Sequence, residues 1–418
     1  MSRAKAAILL ASLITLPAIA ATRMTFDING AATPVEWAPT AFPLRYDIDQ
    51  RVAALSPNAT VMVARAFATW SQIPDAVIRF ESQGVVANAT RAEGISVTVV
   101  DDLLKGQGAM ALTAYTYDNT TGRMLDADIR VDPSLFDGKV NAQLALAHEV
   151  GHTLGLDHSA SLSAIMYPYV GSDTPTELDQ DDRIAIANIY PKSDPTLRGA
   201  TLQGRVMGDH GGIFAAQVVA VDSSGQPVAT GLTNAAGEFT LVAIPAGRYR
   251  LYAEPLDGPV LVDSLQGTWR QAVRNSFPTQ FYETTVDVAN GRVYGNLVIS
   301  TAGPVQLNPR TIGSCAATAH QVSLTSMPVS VKPGETVKLT VGGDGFISGM
   351  TNFEVMNPAF TRVSDYEWWG GAVSATFAVA ADAPTSTSVV LVRSGNDSAT
   401  LTGALKVYRP AKARSARH

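Results

Sequence analysis

The sequence predicts a multidomain protein: an α+β domain followed by two all-β sandwich domains. Strand-like and helix-like patterns alternate in residues 43–192. Residues 198–300 and 321–409 contain only short alternating runs separated by turn residues. The length of 418 residues is consistent with two to four domains.

The composition excludes some classes of protein. Hydrophobic residues make up 46% and charged residues 16% of the chain, which is typical of globular domains with large cores. The formal net charge of −6 provides no basic surface for nucleic acid. Cys315 is the single cysteine, so no disulfide forms within the chain. It is either a thiol without function or a link to another chain.

The first twenty residues have the pattern of a secretory signal peptide. Arg3 and Lys5 precede an apolar run from Ala7 to Ala20, which is too short to span a bilayer comfortably. We expect cleavage after Ala20 or Ala21, and the alternative is a buried N-terminal helix. No later apolar stretch is long enough for a membrane helix. The expected location is extracellular, with the periplasm and the cell surface as alternatives.

Residues 21–42 are predicted to be a short N-terminal segment outside the α+β domain. Within residues 43–192, Asn58 is a candidate cap for one helix and Asn141 for another. The periodicity predicts the following elements: strands at Leu44–Ile48, Val77–Phe80, Ile95–Val100, Ala109–Tyr117 and Asp128–Asp132, and a helix at Pro57–Trp70.

The stretch from residue 148 to residue 158 has the spacing of a zinc site. His148 and His152 are four residues apart, so a helix would present both imidazoles on one face. Gly155 can adopt a left-handed conformation, which would end the helix and return His158 as a third ligand. Glu149 directly follows the first ligand and could take a proton from the attacking water.

A histidine on a helix is more often an ordinary surface or core residue. This chain has only six histidines, and three of them lie in this one stretch. The metal site is therefore favoured, and the alternative is a degenerate, inactive relative of a metal-dependent protein.

The motif HExxHxxGxxH, followed by Met166 within Ser161–Pro168, resembles a metzincin with its Met-turn. Ser159, directly after the third histidine, resembles the matrixin branch, and residues 178–191 are similar to the last helix of matrixin catalytic domains. The resemblance covers about residues 35–192.

The resemblance implies an α+β catalytic domain in which a mixed twisted sheet lies beside an active-site helix. It also implies a zinc metalloendopeptidase with one catalytic zinc and with protein or peptide substrates. His148, His152 and His158 would bind the zinc, Glu149 would be the general base, and Met166 would form an apolar floor under the imidazoles. Matrixins also bind substrate backbone along an edge strand and accept a substrate side chain in a pocket. The residues that would form the edge and the pocket wall are Ala109, Met110, Ala111 and Leu112, and Tyr167, Pro168 and Tyr169. Matrixins commonly have Pro-x-Tyr at this place, whereas here the tyrosine, Tyr169, directly follows Pro168.

The residues also indicate whether calcium, a second zinc or an inhibitory cysteine is expected. The turn at Asp118–Gly122, with Asp126 and Asp128, is either a calcium site or a solvated loop. The domain has no histidine beyond the three ligands, so we expect no second zinc. No cysteine precedes the domain, so we expect no latency of the thiol type.

The C-terminal half shows no chemical motif. Residues 198–300 resemble carboxypeptidase-regulatory-like domains, and residues 321–409 are typical of an immunoglobulin-like sandwich, with a linker at 301–320 and a basic tail at 410–418. The pair Trp368–Trp369 is either a binding platform or one packed and one surface ring. We expect the sandwiches to leave the cleft untouched and to serve contacts with a cell surface or matrix.

Two rival functions remain. The chain could be a surface adhesin whose metzincin domain is inactive, although an intact Glu149 favours an enzyme. Alternatively, the zinc could serve hydrolysis of a non-peptide amide, whereas an extended edge strand favours peptides.

Overall fold

The structure is a computed structural model that describes residues 23–89, 94–99, 109–171, 176–194, 198–272, 275–319 and 321–408. The predicted signal peptide and basic tail lie outside these ranges. Across the described ranges, helices are too short or too polar to cross a membrane.

The first unit is the predicted α+β domain. Its five-stranded sheet has the order β4-β3-β5-β7-β6, with β6 antiparallel at one edge and the other pairs parallel. Two helices, α2 and α3, pack against each other. The elements are β1 (Thr25–Ile28), β2 (Ala31–Pro34), β3 (Leu44–Asp49), α1 (Gln50–Leu55), α2 (Ala59–Ser71), β4 (Phe80–Val86), β5 (Gly94–Val99), β6 (Ala111–Tyr117), β7 (Met124–Val131), α3 (Ala142–Thr153) and α4 (Gln180–Ile189).

One predicted strand of this domain is displaced. The strand expected at Val77–Phe80 begins only at Phe80. The preceding residues pack into the core instead, with Ile78 fully buried, and the amide of Val77 donates to the carbonyl of Tyr190 at 2.9 Å. The alternation of apolar residues there reflects core packing rather than strand pairing.

Of the two predicted helix caps, only Asn141 makes the capping hydrogen bond. Asn141 caps α3, because its side chain accepts a hydrogen bond from the amide of Leu144 at 3.1 Å. Asn58 stands at the N-cap of α2, but its side chain makes no capping bond.

The N-terminal segment belongs to this domain, so the predicted boundary at residue 43 is too late. β1 and β2 form a hairpin, and Met24, Val35 and Trp37 are buried in the core of the domain. The amide of Met24 donates to the carbonyl of Gly155 at 2.9 Å. Long-range backbone bonds of this kind leave no local pattern in the sequence, so the sequence did not indicate that residues 21–42 belong to the domain.

The second unit is a β-sandwich. One sheet has the order β11-β10-β13-β14, with β15 also on β13, and the other has the order β12-β8-β16, with β9 on β8. The pair β8–β16 is parallel, whereas the other pairs are antiparallel. The strands are β8 (Ala200–Gly208), β9 (Gly211–Gly212), β10 (Gln217–Asp222), β11 (Pro227–Leu232), β12 (Glu238–Ile244), β13 (Gly247–Glu254), β14 (Gln280–Phe281), β15 (Val286–Val288) and β16 (Val293–Ser300).

The third unit is a second sandwich. Its sheets have the orders β17-β19-β23-β21, with β22 on β23, and β18-β25-β24-β20. The likeness of the two sandwiches to named domain families stays a prediction. The strands are β17 (Asn308–Ala316), β18 (Val329–Val331), β19 (Thr336–Asp344), β20 (Asn352–Val355), β21 (Phe360–Arg362), β22 (Glu367–Trp369), β23 (Ala372–Val379), β24 (Ser386–Ser394) and β25 (Asp397–Val407).

The predicted linker at 301–320 is wrong, because β17 lies inside it. This strand pairs antiparallel with β19, and Ile312, opposite Val341, is fully buried. Glycine, proline and serine interrupt the apolar pattern there, so the sequence resembles a loop.

The tryptophan pair divides as the packed-and-surface alternative predicted. The indole of Trp368 donates to the carbonyl of Thr351 at 2.6 Å, and that ring packs against the core of the second sandwich. Trp369 is 48% exposed.

The three units pack closely against one another. Helix α4 contacts β11 and β12 of the first sandwich, and the carboxylate of Asp181 accepts a hydrogen bond from the amide of Thr230 at 2.8 Å. The amide of Leu162 donates to the carbonyl of Thr402 in the second sandwich at 2.9 Å. The α+β domain is therefore held by both sandwiches.

Candidate metal centre

Helix α3 carries the first two histidines of the motif and is held by two indoles. The Nε1 atom of Trp70 donates to the carbonyl of Ala147 at 2.8 Å. The Nε1 atom of Trp37 donates to the carbonyl of Thr153 at 2.6 Å, which satisfies one of the carbonyls left open at the end of the helix. Two tryptophans from the core of the α+β domain therefore hold the helix that carries His148 and His152 in place.

Gly155 makes the turn that the sequence predicted. Its φ angle is +86°, a region that favours glycine, and a Cβ atom there would collide with the carbonyl oxygen of Val35. The amide of Leu156 donates back to the carbonyl of Gly151 at 3.2 Å. The chain then runs on to His158.

The three imidazoles converge as predicted. The ring centroids of His148, His152 and His158 are separated by 4.7, 5.1 and 4.9 Å. Each ring offers one ligand atom, and these atoms all lie within 4.8 Å of one another. Within the described residues, this is the group of histidine, cysteine and acidic side chains that meets the geometry of a metal site.

Hydrogen bonds determine which ring nitrogen of each histidine faces the centre. In each case the Nδ1 atom lies next to a backbone carbonyl, which can only accept, so Nδ1 carries the hydrogen and Nε2 keeps its lone pair for a metal. The pairs are His148 Nδ1 with Ile165 O at 2.8 Å, His152 Nδ1 with Leu156 O at 2.8 Å, and His158 Nδ1 with Ser264 O at 2.5 Å.

Burial keeps these imidazoles neutral, which metal binding requires. Burial, together with the neighbouring His158, lowers the pKa of His148 to about 3. Burial also lowers the pKa of His152 and of His158. Three neutral imidazoles with converging Nε2 atoms fit a zinc ion that retains one open position.

Glu149 is buried beside the ligands, with 7% of its surface exposed. Burial raises the pKa of its carboxyl group to about 7, and a hydrogen bond from Thr113 opposes that rise. The hydroxyl of Thr113 lies 2.7 Å from Oε2 of Glu149 and 3.0 Å from its backbone oxygen. A carboxyl group in this range can accept and return a proton near neutral pH, but its role as the base stays a prediction.

Met166 and Ser159 connect the metal centre to its surroundings. Met166 is buried, and a Cβ atom on Gly151 would collide with its sulfur, so the thioether packs directly against α3 between the first two ligands. The amide of Ser159 donates to the carbonyl of Met166 at 2.9 Å, and its hydroxyl donates to Asp181 at 3.1 Å. Ser159 therefore joins the third ligand, the Met-turn and α4.

The predicted substrate edge lies on β6, at the edge of the sheet. Ala111 and Leu112 are the first residues of β6, whereas Ala109 and Met110 precede it. Along the part of the chain that the structure describes, β6 pairs with β7 and with no strand on its other side. Binding of a peptide along this edge stays a prediction.

The predicted pocket wall is wrong for Tyr167. This side chain is buried in the core of the second sandwich, and its hydroxyl donates to the carbonyl of Ser326 at 2.6 Å. The sequence could not show that a sandwich covers this position. Pro168 is half-buried and Tyr169 is 48% exposed, so their part in a pocket stays a prediction.

The acidic turn does not assemble a cation site among the described residues. The side chain of Asp118 accepts hydrogen bonds from the amides of Thr120 and Thr121 at 2.7 and 3.2 Å. Burial, together with the negative charge of Asp128, raises the pKa of Asp126 to about 6. Calcium binding therefore gains no support from this geometry.

The first sandwich also contributes to the metal centre, although no pattern in the sequence indicated this. The carbonyl that accepts from His158 belongs to Ser264, and the amide of Gln266 donates to Asp157 at 2.8 Å. The side-chain oxygen of Gln266 accepts from the hydroxyl of Tyr115 at 2.6 Å. The expectation that the sandwiches leave the cleft untouched is therefore wrong, and a backbone carbonyl offers no sequence signal that could have revealed it.

Comparison with protein families agrees with this geometry, since the family model described as matrixin matches residues 36–191. Residues 36–191 form a matrixin domain. The match begins within the N-terminal segment, which the structure places in the same core.

The chain is also similar to curated proteins. Interstitial collagenase A of Mus musculus is 30% identical over 163 residues, which are 37% of this chain and 34% of that protein. Matrilysin of Homo sapiens is 37% identical over 84 residues, which are 19% of this chain and 32% of that protein. The chain thus spans about a third of the length of these relatives.

Among solved structures, the Bacillus anthracis TIE protein aligns with 50% of this chain and 34% of its own, at 7% identity and a TM-score of 0.19. This likeness carries no inference about the fold.

Proposed function

We propose that this protein is a secreted zinc-dependent endopeptidase that hydrolyses peptide bonds of extracellular proteins. The observation that carries the proposal is the convergence of three neutral imidazoles beside the buried carboxyl group of Glu149. The matrixin domain supports zinc as the metal.

His148, His152 and His158 would hold a zinc ion, which would supply a Lewis acid for the substrate carbonyl and would lower the pKa of water. Glu149 takes the proton of the attacking water and later gives it to the leaving amine. Thr113 orients the carboxylate of Glu149, and burial excludes bulk water from this proton transfer.

The choice of peptides as substrates rests on the edge strand β6. An extended peptide that adds to this edge forms main-chain hydrogen bonds whatever its sequence. The hydroxyl of Thr113 within β6 contacts Glu149, so a peptide on this strand would run past the base. This placement favours peptide substrates over a non-peptide amide.

The proposal of secretion rests on the first twenty residues, with their basic start and apolar run. The relatives named above support an extracellular location. Contacts of the sandwiches with a cell surface or matrix are part of the same proposal.

The alternative is an adhesin whose matrixin domain is inactive. The retained hydrogen bond between Thr113 and Glu149 favours the enzyme, because an inactive relative has no need to keep the base buried and oriented.

The deciding experiment measures cleavage of an unfolded protein by the full mature chain, with and without a metal chelator. We expect zinc-dependent cleavage that falls by about 10²–10⁴-fold in Glu149→Gln, while bound zinc is retained. Glu283→Gln, at an exposed position of the first sandwich, is the matched control and should cleave like the wild type.

Two outcomes would contradict the proposal. If Glu149→Gln cleaved the protein at a rate near that of the wild type, Glu149 would not be the general base. A zinc-loaded wild type that cleaves no unfolded protein would favour the adhesin.

A further inference from the structure

We propose that the first sandwich supplies part of the metal centre: the loop at residues 261–268, here named the docking loop, positions the third zinc ligand. The docking loop lies between β13 and β14. This inference rests on the proposed zinc site and extends it, since it assigns a positioning role to residues about a hundred positions away from the motif.

His158 is hydrogen-bonded to a different unit of the protein from the other two ligands. His148 and His152 donate to carbonyls of Ile165 and Leu156, within the matrixin domain itself. His158 instead meets the carbonyl of Ser264, 106 residues further along the chain. An acceptor behind a zinc-binding histidine fixes the orientation and the tautomer of its ring, and it makes the ligand nitrogen more basic.

His158 also needs this acceptor more than the other two ligands do. His148 and His152 stand on a helix with its own hydrogen bonds, whereas His158 follows the turn at Gly155 and is less buried. Without the docking loop, the Nδ1 atom of His158 would lose the hydrogen bond that fixes the orientation of its ring.

Asp157 links the docking loop to the backbone of the same ligand. Its Oδ1 atom accepts from the amide of His158 at 2.8 Å, and its Oδ2 atom accepts from the amide of Gln266 at 2.8 Å. One buried carboxylate therefore ties together the ligand and the loop that orients it. The side chain of Gln266 extends the connection to Tyr115 on β6.

The loop is also held on its far side, by the N-terminal hairpin. The amide of Thr268 donates to the carbonyl of Thr25 at 2.7 Å, and the indole of Trp269 donates to the carbonyl of Arg23 at 3.0 Å. Gly267 has a φ angle of +55°, and a Cβ atom there would collide with the carbonyl oxygen of Thr25. Glycine at this position therefore permits the close approach of the two backbones.

The docking loop is anchored in the sandwich by apolar side chains. Val262 and Leu265 are buried in a small cluster with Ala215 and Leu232. The carbonyl of Ser264 is therefore presented from a packed platform, and such a platform is what orients a ligand well.

The test compares zinc affinity in the full mature chain, by competition with a chromophoric chelator. Gly267→Val displaces the docking loop, and we expect zinc to bind about 10–100-fold more weakly. The d–d absorption bands of the cobalt-substituted protein should shift as well, because they report ligand geometry. Gly211→Val is the matched control: Gly211 also has a positive φ angle and lies in the same sandwich, and a Cβ atom there would meet no neighbouring atom within 4 Å. It should leave both readouts unchanged.

A milder variant covers the case in which Gly267→Val does not fold. Gln266→Ala keeps the backbone of the loop and removes only the bond to Tyr115, so we expect about threefold weaker zinc binding. Gln271→Ala, an exposed glutamine near the loop, is its control.

The proposal would be overturned if a folded Gly267→Val variant kept the zinc affinity and the cobalt bands of the wild type. If Gly267→Val does not fold, the same result in Gln266→Ala would overturn it. The docking loop would then be an ordinary domain contact. The result is separable from the proposed function, because zinc affinity is measured without substrate, and loss of hydrolysis in Glu149→Gln leaves the docking loop intact.

Discussion

The hydroxyl of Thr113 donates a hydrogen bond to the Oε2 atom of Glu149 at 2.7 Å. Thr113 lies on the edge strand β6 and Glu149 on the helix α3, so this bond joins the proposed substrate edge to the proposed base. It also gives a buried carboxylate a donor, which an isolated buried charge would lack.

Thr113→Val should lower kcat/KM on a short peptide by about tenfold, because a hydrogen bond to a charged group contributes roughly 1.5 kcal/mol. Zinc content should not change, since Thr113 contacts no ligand nitrogen. Thr116→Val, at an exposed position of the same strand, is the control and should keep wild-type activity. Unchanged kcat/KM in Thr113→Val would show that the hydroxyl does not orient the base.

The metal content of the protein should be one zinc per chain. Within the described residues, three converging ligand atoms occur only at His148, His152 and His158. Removal of zinc by a chelator should abolish hydrolysis and lower the melting temperature, because zinc stabilises the folded state to which it binds. Metal analysis of the purified protein measures the ratio, and two tightly bound zinc ions would reveal a second site.

The motif was predictable because its chemistry lies in side chains at fixed local spacing. The ligand spacing on α3, the cap at Asn141 and the turn at Gly155 each depend on residues within a few positions of one another. Such local patterns remain visible in a single sequence.

The partners of the motif were not predictable, because they are distant and partly made of backbone. The carbonyl of Ser264 lies 106 residues beyond His158, and the carbonyl of Ser326 lies 159 residues beyond Tyr167. Every residue has a carbonyl group, so a carbonyl acquires a role only through its position in the fold, which the sequence does not display. The bond that joins the N-terminal hairpin to the domain is also long-range, whereas β17 was missed because glycine, proline and serine interrupt its apolar pattern.

Tyr167 should support stability rather than substrate binding. Tyr167→Phe removes the donor to the carbonyl of Ser326 and leaves that carbonyl without this partner, so we expect a loss of about 1–2 kcal/mol in the free energy of unfolding. The value of KM for a short peptide should not change. Tyr169→Phe, at an exposed ring, is the control, with little effect on stability. A raised KM without lost stability in Tyr167→Phe would restore the pocket wall.

The two sandwiches meet at a buried carboxyl group that should make their stability depend on pH. Glu254 on β13 accepts hydrogen bonds from the side-chain amide of Gln217 at 2.6 Å and from the hydroxyl of Thr402 at 2.7 Å, and Thr400 of β25 also donates to it. Burial raises the pKa of Glu254 from 4.5 to about 7.

The sign of the effect follows from linkage. Between about pH 4.5 and 7 the folded state binds more protons at Glu254 than the unfolded state does, so the free energy of unfolding falls as pH rises through this window. Glu254→Gln keeps the shape and remains neutral. We expect the variant to match the wild type near pH 4.5 and to be about 1–3 kcal/mol more stable near pH 8. Urea unfolding at both pH values measures the difference, with Glu283→Gln as an exposed control. The prediction would be wrong if the difference in the free energy of unfolding between Glu254→Gln and the wild type were the same at both pH values. Glu254 would then have the same pKa in the folded and unfolded states.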